Sequence, residues 1–382
     1  MKSNKKRKHF WESKFPIFFI FLRKYISTNK KIRRAVLLLI AFVFIFFTLL
    51  LNYSWSPIDR KNLTVTVDIP TGSSFLESVE ILSKAGLVKN RFFFLSLATI
   101  KGARRHVRAG EYEFNTQITP WTMVDKLMRG EIKQYKVSIP EDLSMKEIVE
   151  ILDKDKLVNK ETFFELARDK EFLESLNIKA ESIEGYLFPE TYLFNRSMNT
   201  RLIMKKMVDT FWEKVTPEMI KKANDKGLSL NQFVTFASMI GKESGANAEK
   251  PLISSVFYNR IKKGMRLQSD PTAVYDLDKF EGKVLKSHLR RNSPYNTYLI
   301  KGLPPGPIAN PGLDSFKATL NPAPGDFLYF VSQNDGTHHF SSSLSEHNQA
   351  VNRYKYIKNE QIQKLRDKES QNIDNNASEK KD

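Results

Sequence analysis

From Ala35 to Leu51 the chain runs AVLLLIAFVFIFFTLLL, seventeen residues in which Thr48 is the only polar member. As a helix this run spans about 26 Å, enough with Ile32, Tyr53 and Trp55 at its ends to cross a bilayer. No polar face interrupts it, so a buried core helix does not fit. A shorter apolar patch, Phe15 to Leu22, is too short to span and suits the inner leaflet. Downstream the pattern becomes that of a folded domain. Alternation at Leu63, Val65, Val67 and Ile69 predicts a strand halted by Pro70, then a helix capped by Ser74 with apolar residues at steps of three and four. The same pattern returns seventy residues later. Val67, Ile69, Pro70, Ser74, Val79, Glu80, Ile81, Leu82 and Phe93 recur as Val137, Ile139, Pro140, Ser144, Val149, Glu150, Ile151, Leu152 and Phe163, which marks an internal duplication. The first copy closes with a strand-like GEYEF, Gly110 to Phe114. A helix follows, capped at Thr119, with Pro120 at its first position and Gly130 at its stop. Such small strand-helix modules resemble LysM-like carbohydrate-binding units.

Charge then decides orientation and class of partner. The chain of 382 residues has a formal charge of +18. Eleven of those eighteen charges lie in residues 1–34, which hold twelve Lys/Arg and the single acid Glu12. Lys30, Lys31, Arg33 and Arg34 flank the apolar run, so the positive-inside rule places the amino side in the cytoplasm and the body outside, with Tyr53 and Trp55 as the outer aromatic belt. A cleaved signal peptide is the competing reading. No small-x-small site follows Leu51 and the charged region before it is long, which favours an uncleaved anchor. A basic tail ahead of an apolar segment is no folded nucleic-acid face, so nucleic acid is discounted. The chain has no cysteine, so disulfides, thiolate metal sites and a cysteine nucleophile are excluded together.

From about residue 181 the composition shifts to GYLFPETYLF, then helical patterns, then a Gly/Pro/Asn-rich section from Ser293 to Gly325. LSLNQFVTFASMIGKES predicts an amphipathic helix from Leu230, capped by Ser229, with Leu230, Phe233, Val234, Ala237 and Ile240 on one side. Glu243 projects from its apolar edge just before Gly245. A carboxyl there is partly desolvated and held protonated near neutral pH, ready to act as an acid, while an ordinary solvated Glu is the plainer alternative. The next helix is expected from about Ala248 to Lys263, with Ser255, Tyr258, Asn259 and Arg260 mainly on its solvated face. Gln268, Ser269 and Asp270 follow in a loop, Asp270 as an N-cap with Pro271 at the first helical position. SPYNTYLIKGLPPGPIANPG offers Tyr295, Asn296, Thr297 and Tyr298, the aromatic faces and amides a sugar groove uses. His338, His339, Glu346 and His347 lack the ligand spacings of a zinc site. Serine-hydrolase elbows, Walker loops and dinucleotide fingerprints are absent. A two-carboxylate glycosidase would need a partner for Glu243, and Glu249 and Asp270 are the nearest in sequence, with nothing to select either.

These motifs together, IGKESGANAEKPLISSVFYNRIKKGMRLQSDPTAVYDL, SPYNTYLIKGLPPGPIANPG, ATLNPAPGDFLYFV and DGTHHFSSSLSEHN, with EGYLFPETY upstream, closely resemble the YceG-like family of endolytic murein transglycosylases over roughly residues 60–355. The resemblance implies an α+β protein: a single transmembrane helix, LysM-like strand-helix modules and a mixed α/β YceG-like catalytic domain. It implies cleavage of the bond between N-acetylmuramic acid and N-acetylglucosamine within nascent peptidoglycan strands, leaving 1,6-anhydro ends, so that the enzyme terminates glycan elongation. One carboxyl suffices for such a lytic reaction, first as acid and then as base. The family motif E-K-E-T/S places it at Glu243, and this chain has Gly241 where the motif has its first Glu. By the same match Ser244, Asn259, Arg260, Gln268, Ser269, Asp270, Tyr295, Asn296, Thr297 and Tyr298 line the glycan cleft, the histidines are structural or groove residues, and neither a metal nor any other cofactor is called for. The chain then divides into a basic cytoplasmic tail (1–34), a transmembrane signal anchor (35–55), a LysM-like membrane-proximal domain (60–135), a catalytic region beginning with the second strand-helix copy (136–356) and a disordered tail (357–382). The expected partners are glycan strands, the cytoplasmic membrane and cell-wall synthases. Two alternatives remain: a non-catalytic peptidoglycan-binding scaffold for those synthases, and, more weakly, a zinc-dependent envelope hydrolase using the C-terminal histidines.

Overall fold

The computed structural model describes residues 30–105 and 107–357. The Phe15–Leu22 patch, most of the basic tail and all but the first residue of the C-terminal tail lie outside them. The described chain divides into two compact units between Lys133 and Gln134.

The first unit opens with α1 (Lys30–Trp55), the one helix among the described residues long and apolar enough to cross a membrane. Most of its apolar side chains, Leu38, Phe42 and Phe44 among them, face outward, while Leu50 near its end joins the core of the unit with Phe46 and Tyr53 against it. Then come β1 (Thr64–Ile69), α2 (Phe75–Lys84), α3 (Arg91–Ile100), β2 (Gly110–Asn115) and α4 (Pro120–Arg129). β1 and β2 pair antiparallel from Thr64↔Asn115 to Ile69↔Gly110. Val67 and Ile69 point inward with Tyr112 and Phe114 onto Leu82, Phe94 and Met123. Alternation thus built the strand as expected, and Thr119, Pro120 and left-handed Gly130 bound α4 as the sequence predicts.

The second unit begins with β3 (Tyr135–Ser138), α5 (Met145–Lys154), α6 (Lys160–Leu166), α7 (Lys170–Ser175), β4 (Thr191–Phe194) and α8 (Thr200–Lys214). This is the first module again, and the duplication runs further than the sequence match. Ser74 and Ser144 form the same capping box, with Glu77 and Glu147. β4 pairs with β3 as β2 pairs with β1. Tyr112 donates to the Arg108 carbonyl four residues back and stacks on Phe114; Tyr192 does the same with Phe188 and Phe194. Lys126 donates to the Glu113 carbonyl and lies over Phe114, and Lys206 repeats this with Leu193 and Phe194. The offset between copies grows from seventy to eighty residues between Phe163 and Phe188, the stretch that holds α7. The composition shift at 181 is therefore the closing half of the second copy rather than a new region.

The remainder is helical around one central element. α9 (Pro217–Asp225), α10 (Leu230–Glu243), α11 (Lys250–Lys262), α12 (Asp270–Val274), α13 (Lys286–Leu289) and α14 (Leu313–Leu320) lead to a hairpin of β5 (Tyr329–Ser332) and β6 (His338–Ser341). α10 is not amphipathic as its apolar spacing predicts. Every residue from Phe233 to Gly241 is buried, Phe233 and Val234 in one cluster and Phe236, Met239 and Ile240 in another. Its buried hydroxyls are satisfied locally: Thr235 donates to Asn231 O, and Ser238 donates to Thr235 O while accepting from Ile308 N. A helix buried all round carries what projects from its end with little freedom.

Candidate active site

Ser229 and Gln232 form the capping box that starts α10, and Glu243 is its last residue. A fourteen-residue helix, buried from Phe233 to Gly241, thus delivers one carboxyl, partly exposed, to the end of a core element. Its Oε1 accepts a 2.5 Å hydrogen bond from Ser269 Oγ. Burial pushes the carboxyl up to about 7; the bonds from Ser269 Oγ and the Asp270 amide and the Arg260 charge pull against this, and the Asp270 carboxylate adds to it. A Glu so placed is both protonated and ionised near neutral pH, which is the requirement for a group that gives and then takes a proton.

The loop facing Glu243 is held from behind. Ser269 is buried; its amide donates to Thr297 Oγ1 at 2.9 Å, and its carbonyl accepts from Thr272 Oγ1 at 2.6 Å. Thr272 and Thr297 pair hydroxyl to hydroxyl at 2.8 Å. Gln268, in the left-handed region at φ 52°, donates its amide to Thr297 O and accepts from Arg260 Nη1. Asp270 accepts from Tyr298 OH at 2.5 Å. Asp270 is not the N-cap expected of it: Ser269 holds that position and Asp270 is the first helical residue, so its carboxylate is free to meet Tyr298. Glu243, Ser269, Asp270 and Tyr298 therefore form one continuous polar cluster.

Other cleft candidates are placed behind it or away from it. Arg260 is buried, not solvated, and donates to the carbonyls of Leu328, Arg266 and Leu267. Asn259 holds the Gly325 and Phe327 carbonyls, and Ser255 is buried beside it. Both residues thus pin the segments flanking the cluster. α11 starts at Lys250, after a short 3-10 turn over Asn247–Glu249, two residues later than the sequence predicts. Asn296 is fully buried, donating to the carbonyls of Leu289 and Arg291 and accepting from Tyr298 N. Ser244 closes α10 and donates to Ala246 O. Tyr295 packs on Tyr275 and lines a separate hollow with Lys170, Asn231 and Pro305. The histidines part company: His338 pairs with Glu249 at 2.8 Å, His347 stacks on Tyr329, and His339 lies beside Tyr354. Among the described residues no three His, Asp or Glu side chains gather as a metal site.

A cavity of about 480 Å³ opens beside the cluster, lined by Ser144, Lys146, Glu147, Lys242, Asp270 and Tyr275. The second strand-helix copy thus supplies one wall and α12 the other, and Lys242 and Asp270 on its lining are immediate neighbours of Glu243 and Ser269. Behind Tyr275 lies a carboxyl the sequence reading did not single out. Glu184 is buried and accepts from Met145 N, Asn310 Nδ2 and Tyr275 OH. Burial pushes it up to about 7 against those three donors. Its signal in the sequence was a lone acid opening the apolar run GYLFP.

The YceG-like family profile matches residues 67–353. The chain belongs to the YceG-like family. It is 35% identical over 328 residues to an endolytic murein transglycosylase of Bacillus subtilis strain 168, covering 80% of this chain and 89% of that one. An endolytic murein transglycosylase of Streptococcus pneumoniae is 29% identical over 330 residues, and the match spans 77% of this chain and 59% of the longer pneumococcal protein. The crystal structure of a YceG-like protein from Listeria monocytogenes superposes with a TM-score of 0.53 at 32% identity, over 76% of this chain and 99% of that one. The YceG-like match includes both strand-helix copies, the Glu243 cluster and the β5–β6 hairpin.

Proposed function

We propose that this YceG-like protein is a membrane-anchored endolytic peptidoglycan lytic transglycosylase with Glu243 as its single acid and base. The observation that carries the reading is the Glu243 carboxyl, pushed to about 7 at the end of a buried helix and bonded to Ser269; the endolytic murein transglycosylases it resembles supply the substrate class. Protonated Glu243 gives its proton to the glycosidic oxygen as the bond from the muramic anomeric carbon breaks. The resulting carboxylate takes the proton of the muramic C6 hydroxyl as that oxygen closes on the same carbon. The proton leaves and returns, no water is consumed, and no second carboxylate is required. Ser269, through its bond to Oε1, fixes the carboxyl's orientation. Asp270, Tyr298 and Gln268 border the place where the sugar sits, while Ser244, Asn259, Arg260, Tyr295, Asn296 and Thr297 shape the walls from behind.

The body lies outside the cytoplasmic membrane in this reading, since Lys30, Lys31, Arg33 and Arg34 precede the apolar stretch of α1. The first strand-helix unit is a LysM-like membrane-proximal domain and the rest from about 136 the catalytic region. Anchoring keeps the cluster near newly polymerised strands and so beside the cell-wall synthases that make them. The scaffold alternative leaves unexplained why a half-buried carboxyl is raised and oriented; the zinc alternative finds its histidines dispersed.

Incubating the purified full chain with uncrosslinked glycan strands tests the reading. Strands shorten in their interior without release of disaccharides from the ends; unchanged length distributions would sink it. The pH dependence gives a finer prediction. The acid works protonated, so kcat/KM is level below about 7 and falls above it. Ser269→Ala removes a bond that lowers the Glu243 pKa and moves the falling limb to higher pH; Asp270→Asn removes a charge that raises it and moves the limb lower. A limb that both variants leave in place would show that another group titrates.

A further inference from the structure

The loop Pro140–Leu143, joining β3 to α5, lays two acids against two glycines. A Cβ added to Gly241 would lie 1.7 Å from Asp142 Oδ1, and one added to Gly312 would lie 1.9 Å from the Glu141 carboxyl carbon. Between them stands Lys250, the first residue of α11 and only 2% exposed, with its Nζ 3.1 Å from Glu141 Oε2 and 3.8 Å from Asp142 Oδ2. A buried ammonium depends on such partners. Asp142 also holds an unusual backbone, φ 65°, whereas the corresponding loop of the first copy has Gly72 at φ 87° with open space around it. Left-handed backbone favours glycine, and Asp is one of the few side chains that enter it readily, so the loop can present a carboxylate here where the first copy has none. Its Oδ1 is buried with no hydrogen-bond partner among the described residues. The loop is tied to the cleft wall as well, since Asp142 N donates to Asn310 O and Asn310 N to Leu143 O.

Gly241 stands two residues before Glu243 on α10. We propose that Asp142 is a positioning residue: its carboxylate, seated with Lys250 in the space that a side chain at 241 would fill, fixes the last turn of α10, from which Glu243 projects. The acid comes from the opposing loop, and Gly241 leaves it the room. The proposal deepens the lytic reading of Glu243 and its activity arm rests on it; its stability arm does not.

Four variants of the full chain test it, with thermal melting and turnover of uncrosslinked glycan strands as readouts. Gly241→Ala, which in an open helix would stabilise, here meets Asp142 and lowers both Tm and turnover, turnover by about tenfold. Asp142→Gly relaxes the backbone and keeps Tm within a few degrees of the parent, yet lowers turnover by about tenfold. The double variant Asp142→Gly/Gly241→Ala regains the melting temperature but not the turnover, because the space is filled without a charge. Asp142→Gly/Gly241→Glu returns the charge from the helix side and recovers turnover to within about threefold of the parent. A purely structural loop residue would leave Asp142→Gly fully active, and a purely steric one would let the alanine double variant recover as well as the glutamate one; either result overturns the proposal. Should the parent itself leave strands uncut, the lytic reading fails, and the melting arm still decides: Gly241→Ala melting like the parent would mean that Asp142 and a side chain at 241 do not compete for one space.

Discussion

Glu243→Gln is expected to reduce strand cleavage by about a thousandfold, with the melting temperature unchanged. Gln is isosteric, and its carbonyl still accepts from Ser269 Oγ, so the helix end and the facing loop keep their geometry. What disappears is the exchangeable proton. No neighbour replaces it: Glu184 is buried behind Tyr275, Glu249 is paired with His338, and Asp270 receives the Tyr298 hydroxyl. Strand binding measured by cosedimentation stays within about threefold of the parent, because an uncharged Gln removes no contact made equally to substrate and transition state. A variant that still cut strands at a tenth of the parental rate would move the proton transfer to another group. The scaffold reading predicts that parent and variant bind alike and neither cuts.

Asn310→Ala is the largest expected effect on stability. Asn310 is fully buried, and its side chain joins three segments: Oδ1 accepts from Gly185 N and Leu187 N at 2.9 Å each, and Nδ2 donates to Leu143 O at 3.0 Å and Glu184 Oε1 at 2.7 Å. Removing it strands two backbone donors and part of a buried carboxyl's support. Each unsatisfied buried group costs about 1–3 kcal/mol, so the loss is about 4 kcal/mol and Tm falls by roughly 8–16 °C for a unit of this size. Asn310→Asp keeps both acceptor bonds but sets a second carboxyl against Glu184, so it does not rescue at neutral pH and partly rescues under acid conditions, where one of the pair is protonated. Circular-dichroism melts of the three proteins check this, and an Asn310→Ala midpoint within 2 °C of the parent, about the precision such melts allow, would contradict it.

Local signals carried far in this chain. α10 was legible because its cap, its apolar spacing and its terminal glycine all lie within the seventeen residues from Ser229 to Gly245, and Glu243 could be placed at its end from spacing alone. The first half of the duplication was legible because Pro, Ser and the helix pattern repeat at a fixed offset. Its second half was hidden: ten extra residues between Phe163 and Phe188 break the offset, and what the copies share beyond them is a pair of stacked rings and a lysine, a pattern too sparse for sequence matching. The misread polar residues share one cause. Arg260 and Asn259 look solvated on a helix because their acceptors are backbone carbonyls up to sixty-eight residues away. Glu184 and Asp142 were missed for the same reason, since their partners Asn310, Tyr275 and Lys250 come from segments about 90 to 126 residues distant, or 108 for Lys250. Sequence placed Glu243 at the end of its helix; only the fold could show what holds it.

The most direct test of a single carboxyl acting as acid and then base is cleavage of uncrosslinked glycan strands by the full chain in water enriched with heavy oxygen, with the new ends read by mass spectrometry. If the muramic C6 hydroxyl closes the ring, each new end is lighter than a hydrolysed one by one water and carries no solvent oxygen, and Glu243→Gln produces none. New ends that carry heavy oxygen would mean that water is the nucleophile, and the one-carboxyl account of Glu243 would be wrong.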